Sequence, residues 1–184
     1  MKSIVKQAQD RFEAFERNRA RCMRVTGELR SEAKAAINFI VKGEMQRARE
    51  ALRAAAGMMR DLGGWLRKDP YLYSVPSLNE GLEEYVEARL LLSYVEGGKR
   101  FPSMRSLGVN HEAYICGLCD MTGELVRIAM SRAEAAPRIA RDVSALVDQC
   151  IRMYVTRNSK IRSKLQDLER NLRRLEEILY ERRP

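Results

Sequence analysis

Histidine is almost absent from this chain, with His111 the one example in 184 residues. That scarcity removes the Glu-x-x-His pairs a di-iron bundle needs, so ferritin-like redox chemistry is not expected. No run approaches the roughly 18 to 20 apolar residues required to cross a bilayer, and membrane insertion has no support. There is no Gly-rich phosphate cradle, no arrangement resembling a serine or cysteine triad, no internal repeat and no low-complexity tract. The start is not signal-like, and the four cysteines, Cys22, Cys116, Cys119 and Cys150, stand among apolar or helical neighbours. These features read as a reduced, cytoplasmic protein.

Acids, by contrast, are outnumbered. Lys and Arg total 34 against 25 Asp and Glu, a formal net charge of +9, and the sequence pI is near 9.6. This exceeds what solubility requires, and most of the excess is arginine, whose planar fork pairs with phosphate in bidentate fashion. A polyanionic partner is expected, with nucleic acid ahead of a membrane surface.

Apolar spacing of three and four predicts helices almost throughout, leaving few residues for strands. A long first helix should run from Ile4 to about Val41 on the stripe Ile4, Val5, Ala8, Phe12, Phe15, Cys22, Leu29, Ala33, Ala36, Ile37 and Ile40, stopping at Gly43. A second should span Glu44 to about Leu66, weakened near its end by Gly63 and Gly64, with a break from Asp69-Pro70 to Pro76. A third follows from Pro76 to Gly97-Gly98, and a short basic connection carries Lys99, Arg100 and Arg105. Asn110 is a good N-cap for a helix to about Arg132, and Pro137 suits the first turn of another to about Thr156. The last segment places Ile161, Leu165, Leu168, Leu172, Leu175 and Leu179 at steps of four and three, a coiled-coil seam that should pack along another long helix. The length suits one all-helical domain over residues 1–184.

The acids that stand out are those on apolar stripes. Glu84, Glu87, Ala88, Leu91 and Val95 share one helix face, and Ala113, Gly117, Asp120, Met121, Glu124 and Ile128 share another. An ionised carboxylate withdrawn from water costs several kcal/mol unless a positive charge meets it, so such acids imply a partner. If Glu84, Glu87, Asp120 and Glu124 converge, the donor set is all oxygen, which suits Mg²⁺ or Mn²⁺ and disfavours zinc or copper. The competing reading is a solvated rim, with Glu83 and Glu84 marking a face rotated by one position. Cys116-x-x-Cys119 with His111 falls short of four tetrahedral ligands and reads as two small core residues.

The arginines of the first helix, Arg11, Arg17, Arg19, Arg21, Arg24 and Arg30, and the basic residues Lys160, Arg162, Lys164, Arg170, Arg173 and Arg174 of the last divide between two roles. Some should pair with Glu13, Glu16 or Glu169 on solvated faces, while the surplus favours phosphate contact. Arg11, Arg17, Arg19, Arg21, Arg24, Lys99 and Arg100 are the candidate nucleic-acid contacts.

Three segments together resemble the translin superfamily: Glu28 to Glu44 (ELRSEAKAAINFIVKGE), Glu84 to Ala88 (EYVEA), and Tyr114 to Leu125 (YICGLCDMTGEL). The run through Leu172, Leu175, Glu176, Glu177 and Tyr180 resembles the family's last helix. One branch of that family, translin itself, binds nucleic acid without catalytic acids, whereas the translin-associated factor X (TRAX-like) branch carries an acidic cluster for RNA cleavage. The EYVEA motif and the Asp-x-x-Gly-Glu-Leu motif resemble the catalytic branch, which implies Glu84, Glu87 and Asp120 as catalytic metal ligands with Glu124 as a further acid. The resemblance implies an all-α, seven-helix subunit in a closed homo-octamer whose cavity encloses RNA. Cys116 and Cys119 stand where aliphatic or small residues are commoner, and the connection after Gly97 lacks the insertions of eukaryotic members, which suggests a compact prokaryotic or archaeal homo-oligomer.

The expected function is therefore an Mg²⁺- or Mn²⁺-dependent endoribonuclease acting on single-stranded RNA or short duplexes. Its rivals are a non-catalytic binder of single-stranded RNA or DNA, and a purely structural helical scaffold.

Overall fold

The computed structural model describes residues 2–98 and 100–181, and over these the helical periodicity is realised as seven α-helices with no strand. Helix α1 (Lys2–Lys42) is 41 residues long, about 60 Å at 1.5 Å per residue. Its C-terminal half buries Cys22, Val25, Leu29, Ala33, Ala36, Ile37 and Ile40. The expected stripe does not continue inward at the other end. Ile4, Val5 and Phe12 are 70%, 56% and 65% exposed, and Ala8 is exposed as well. Periodicity reports an amphipathic surface, but among the described residues the core reaches only as far as the half-buried Phe15 and leaves Ile4, Val5, Ala8 and Phe12 exposed. The helix closes on Gly43, whose φ of 82° is left-handed. The Gly43 amide donates to the Ile40 carbonyl at 3.0 Å and the Glu44 amide to that of Phe39 at 2.8 Å, satisfying carbonyls the helix end would otherwise orphan.

Helix α2 (Met45–Lys68) returns along α1 and buries Ala48, Ala51, Leu52, Ala55, Met59, Leu62 and Leu66. Gly63 and Gly64 do not weaken its end, because Leu62 and Leu66 on either side are locked in the core. A 3₁₀ turn, Pro70–Ser74, fills the expected break. Helix α3 (Pro76–Val95) starts with proline in its first turn, where the missing N–H costs nothing. It is the central helix, packed against α1 on one side and against α5 (His111–Ser131) on the other.

Between them, in the stretch expected to be a plain connection, Met104–Leu107 forms a single turn of helix, α4. Ser103 caps it, accepting the Ser106 amide at 3.2 Å. Asn110 caps α5 as anticipated, accepting the Ala113 amide at 2.8 Å. Helix α6 (Ala136–Cys150) has Pro137 in its first turn and gives way to a 3₁₀ turn, Ile151–Val155, short of the Thr156 boundary. Helix α7 (Ser159–Glu181) lies along α5 and α6 of the same chain. Its seam is buried at Ile161, Leu165, Leu168 and Leu175, then drifts to Ile178 while Leu172 and Leu179 are half-buried. That drift is the signature of a 3.6-residue period rather than of a strict coiled coil.

Two glycines set how closely the site-bearing helices approach. A Cβ on Gly117 of α5 would lie 2.6 Å from the Glu83 carbonyl oxygen and 2.8 Å from Val86 Cβ on α3, and one on Gly81 would run into the Thr26 side chain of α1. Three residues beyond each glycine, on the same helix face, stands an acid: Glu84 after Gly81 and Asp120 after Gly117. Close backbone contact thus brings the acid-bearing turns of α3 and α5 side by side.

Candidate metal centre

All four acids selected by spacing line one cavity of about 430 Å³, together with Lys34, Ile37 and Asn38 from α1 and Arg127 from α5. Glu87 is the deepest, 8% exposed, and no hydrogen bond or ion pair reaches it among the described residues. Burial, and then the charges of Asp120, Glu84 and Glu124, push its carboxyl up to about 9, against a smaller opposing pull from Lys164. Burial also raises Glu124, although Arg127 beside it works the other way.

The other three acids are each met by a cation. Glu84 accepts Lys34 at 3.0 Å and lies 3.7 Å from Arg30. Glu124 pairs with Arg127 at 2.6 Å. Asp120 receives the Lys164 ammonium of α7 on both oxygens, each at 2.7 Å. One turn earlier on α7, Lys160 bonds to Glu83, which is itself buried, and stands 3.9 Å from Glu112. Desolvation pulls the Lys164 ammonium down, yet the hydrogen bond and charge of Asp120 outweigh it and hold it above its ordinary value.

The donor chemistry fits a divalent ion: four carboxylates from two facing helices, with Asn38 in reach of the same space, suit a hard cation. The rotamers are turned elsewhere, since among the described residues no three acids are grouped closely enough to hold an ion. Lining a common cavity and sharing an ion are different demands. In this arrangement Asp120 and Glu124 face Lys164 and Arg127 instead.

Sequence reasoning missed the inner cations. Helical spacing gives Lys34, Arg127 and Lys164 no place at the site, and it divides the basic face holding Lys160 and Lys164 between solvated ion pairs and phosphate contact. Lys164 stands three residues after Ile161 and four before Leu168, so it shares the edge of the buried stripe; that spacing was the available signal. The competing reading makes Glu83 and Glu84 a solvated rim, but Glu83 is buried against Lys160.

The described candidate nucleic-acid residues, Arg11, Arg17, Arg19, Arg21, Arg24 and Arg100, do not line the cavity. Arg11 to Arg24 sit roughly 15 to 35 Å from Lys34 along α1, counted at helical rise. Arg17 pairs with Glu13 at 3.6 Å, Arg19 with Glu16 at 3.2 Å and Arg24 with Glu28 at 3.5 Å. The Arg21 guanidinium lies over the Trp65 ring, 4.6 Å from its centre. Arg11 is exposed beside Phe12, Lys68 and Tyr71. Arg100 is exposed in the α3–α4 connection, with its carbonyl accepting Ser93 Oγ at 3.4 Å, and Lys99 lies outside the described residues.

Cys116 and Cys119 are buried free thiols whose values burial raises, Cys116 to about 12, so they are core residues with little nucleophilic character. His111 is exposed at the start of α5. No described helix is long and apolar enough to cross a membrane.

The same fold occurs in known structures. The crystal structure of apo-NeC3PO superposes with a TM-score of 0.86 at 22% identity, covering 96% of this chain and 95% of that one. AfC3PO gives 0.85 at 19% identity, with 96% and 95% covered, and a complex of AfC3PO with duplex RNA gives 0.82 at 22%, with 97% of each chain covered. At these identities the likeness establishes the fold alone. No curated protein matches the sequence. The sequence profile of the Translin family, however, matches residues 12–183, nearly the whole length. On that match the chain belongs to the Translin family.

Proposed function

We propose that this protein is a divalent-cation-dependent endoribonuclease of the TRAX-like branch, acting on single-stranded RNA or short RNA duplexes. The observation that carries the reading is the shared cavity of Glu84, Glu87, Asp120 and Glu124, with Glu87 buried and unpaired among them. These four residues would hold one or two Mg²⁺ or Mn²⁺ ions. Such an ion supplies charge neutralisation at phosphorus and a more acidic water.

The chain's own residues do the remaining work. Lys34 and Arg127 have side chains 53% and 51% exposed at the cavity edge, so each can leave its acid for a phosphodiester oxygen and orient the backbone. A carboxylate oxygen of the cluster accepts the proton released by the attacking water. Cations that grip phosphate read no base edges, so cleavage is expected to be weakly sequence-selective and sensitive to salt. RNA as substrate is supported by the net charge of +9 and by the duplex RNA bound to AfC3PO, a protein of the same fold. Assembly into a homo-oligomer, with an octamer as the family form, is supported by the apolar side chains Ile4, Val5 and Phe12 left exposed on α1. The prokaryotic or archaeal origin and cytoplasmic setting belong to the same proposal, the latter in keeping with four buried free thiols.

One observation favours a second reading. Three of the four acids are neutralised by the chain's own cations, and no three are grouped for an ion among the described residues. On that reading the acids are structural and the protein binds single-stranded RNA or DNA without cutting it. The two separate in one experiment: labelled single-stranded RNA, duplex RNA and single-stranded DNA are incubated with wild type, Glu87→Gln and Asp120→Asn, in chelator and then with Mg²⁺ or Mn²⁺ restored. RNA cleavage by wild type alone, only with metal, and with binding retained in both variants supports the nuclease. RNA bound and left intact in Mn²⁺ selects the binder.

A further inference from the structure

We infer that Lys164 is an internal counter-ion of the carboxylate cavity, competing with a divalent cation for Asp120 and so setting how tightly the site holds metal. This deepens the metal-dependent reading above and rests on it.

Lys164 does not itself line the cavity, but the acid it holds does, and the geometry of that pair sets it apart from Lys34 and Arg127. Its ammonium lies 2.7 Å from both Asp120 oxygens, so one group bridges the two donor atoms of a candidate ligand. The two side chains are 25% and 26% exposed, about half the exposure of Lys34 at 53% and Arg127 at 51%. Water and salt therefore screen the Lys164–Asp120 pair less than the pairs made by Lys34 and Arg127. A divalent ion that takes Asp120 must displace the ammonium and then tolerate a positive charge nearby.

Helix packing keeps Lys164 in place. Ile161, Leu165 and Leu168 around it are buried, and one turn earlier Lys160 is tied to Glu83. Helix α7 thus cannot slide to relieve the competition, and displacement must come from the four-carbon stem of the lysine itself. Lys160 makes a natural comparison. It carries the same charge on the same helix, yet its partners Glu83 and Glu112 do not line the cavity.

The test is Mn²⁺ titration of the full chain at fixed ionic strength, with free Mn²⁺ read by electron paramagnetic resonance, for wild type and K164M, K164R, K160M and E87Q. K164M should bind Mn²⁺ about tenfold more tightly than wild type, because removing the competitor frees Asp120 and lifts local repulsion. K164R should bind no more tightly than wild type, since a guanidinium keeps the charge and forks onto both oxygens. K160M should stay within about twofold of wild type, as its charge is spent outside the cavity. Unchanged or weaker binding by K164M, or an equal gain in K160M, overturns the inference. If K164M does not fold, tighter binding by K164R overturns it instead. E87Q separates the two levels: wild-type Mn²⁺ binding that E87Q abolishes, together with no gain in K164M, sinks only the role of Lys164. If wild type binds no Mn²⁺, the metal reading falls and this inference with it.

Discussion

Glu87→Gln should make the protein more stable, and the gain should grow with pH. The carboxyl sits at about 9 in the folded chain against an ordinary value of 4.5, mainly because it is buried and then because three other acids surround it. Between those values the folded chain keeps a proton that the unfolded chain has released. The unfolded state therefore binds fewer protons, and stability falls as pH rises from 4.5 towards 9. Each pH unit in that window costs about 1.4 kcal/mol, or about 3 kcal/mol by pH 7. Water entering the cavity recovers part of this, leaving about 1–3 kcal/mol at pH 7. Glutamine has nearly the shape of the protonated acid and never ionises, so the variant avoids the cost. At this chain length 1 kcal/mol moves Tm by about 2–4 °C, so the variant should melt about 2–12 °C higher at pH 7 and level with wild type near pH 4.5. The assay is thermal unfolding by circular dichroism across that pH range in chelator. A variant that melts at or below wild type at pH 7, or a difference that does not widen with pH, refutes the assignment of a strained buried acid. Adding Mn²⁺ should then raise the Tm of wild type and leave that of the variant in place, since a ligand stabilises only the state that binds it.

Other perturbations read different parts of the structure. Gly117→Ala puts a methyl group 2.6 Å from the Glu83 carbonyl oxygen; overpacking of this kind costs about 1–3 kcal/mol, and denaturant unfolding with an unchanged midpoint would contradict the close approach of α3 and α5. Asn110→Ala removes the acceptor of the Ala113 amide and should cost about 1 kcal/mol by the same measurement. Arg11→Ala combined with Arg17→Ala should weaken RNA binding uniformly across sequences and reduce the salt slope by about one to two phosphate contacts. A slope identical to wild type by fluorescence anisotropy would remove the N-terminal half of α1 from the RNA interface.

Much of the molecule was legible in its residues because helical periodicity is a local property. Steps of three and four defined the long helices, Gly43 and Asn110 marked their ends, and Glu87 and Asp120 declared themselves by standing on apolar stripes. The segment motifs pointed to the family for the same reason, since each lies within a few turns of one helix. Shifts of a few residues at helix ends, such as Lys68 in place of Leu66, came from core packing that overrides the propensity of glycine.

What neighbouring residues could not decide was which charges meet. Asp120 and Lys164 are 44 positions apart and Glu83 and Lys160 are 77 apart, so their pairing exists only once α7 has docked on α5 and α5 on α3. The same holds for α1, whose apolar stripe looks uniform along the sequence but is buried over one half and exposed over the other. A period says that a face wants a partner; only the packed chain says whether the partner is its own. Residue spacing alone thus determined the helices and nominated the acids, while tertiary packing decided how each acid is neutralised, because electrostatic partners are set by distance in space and not by spacing along a helix.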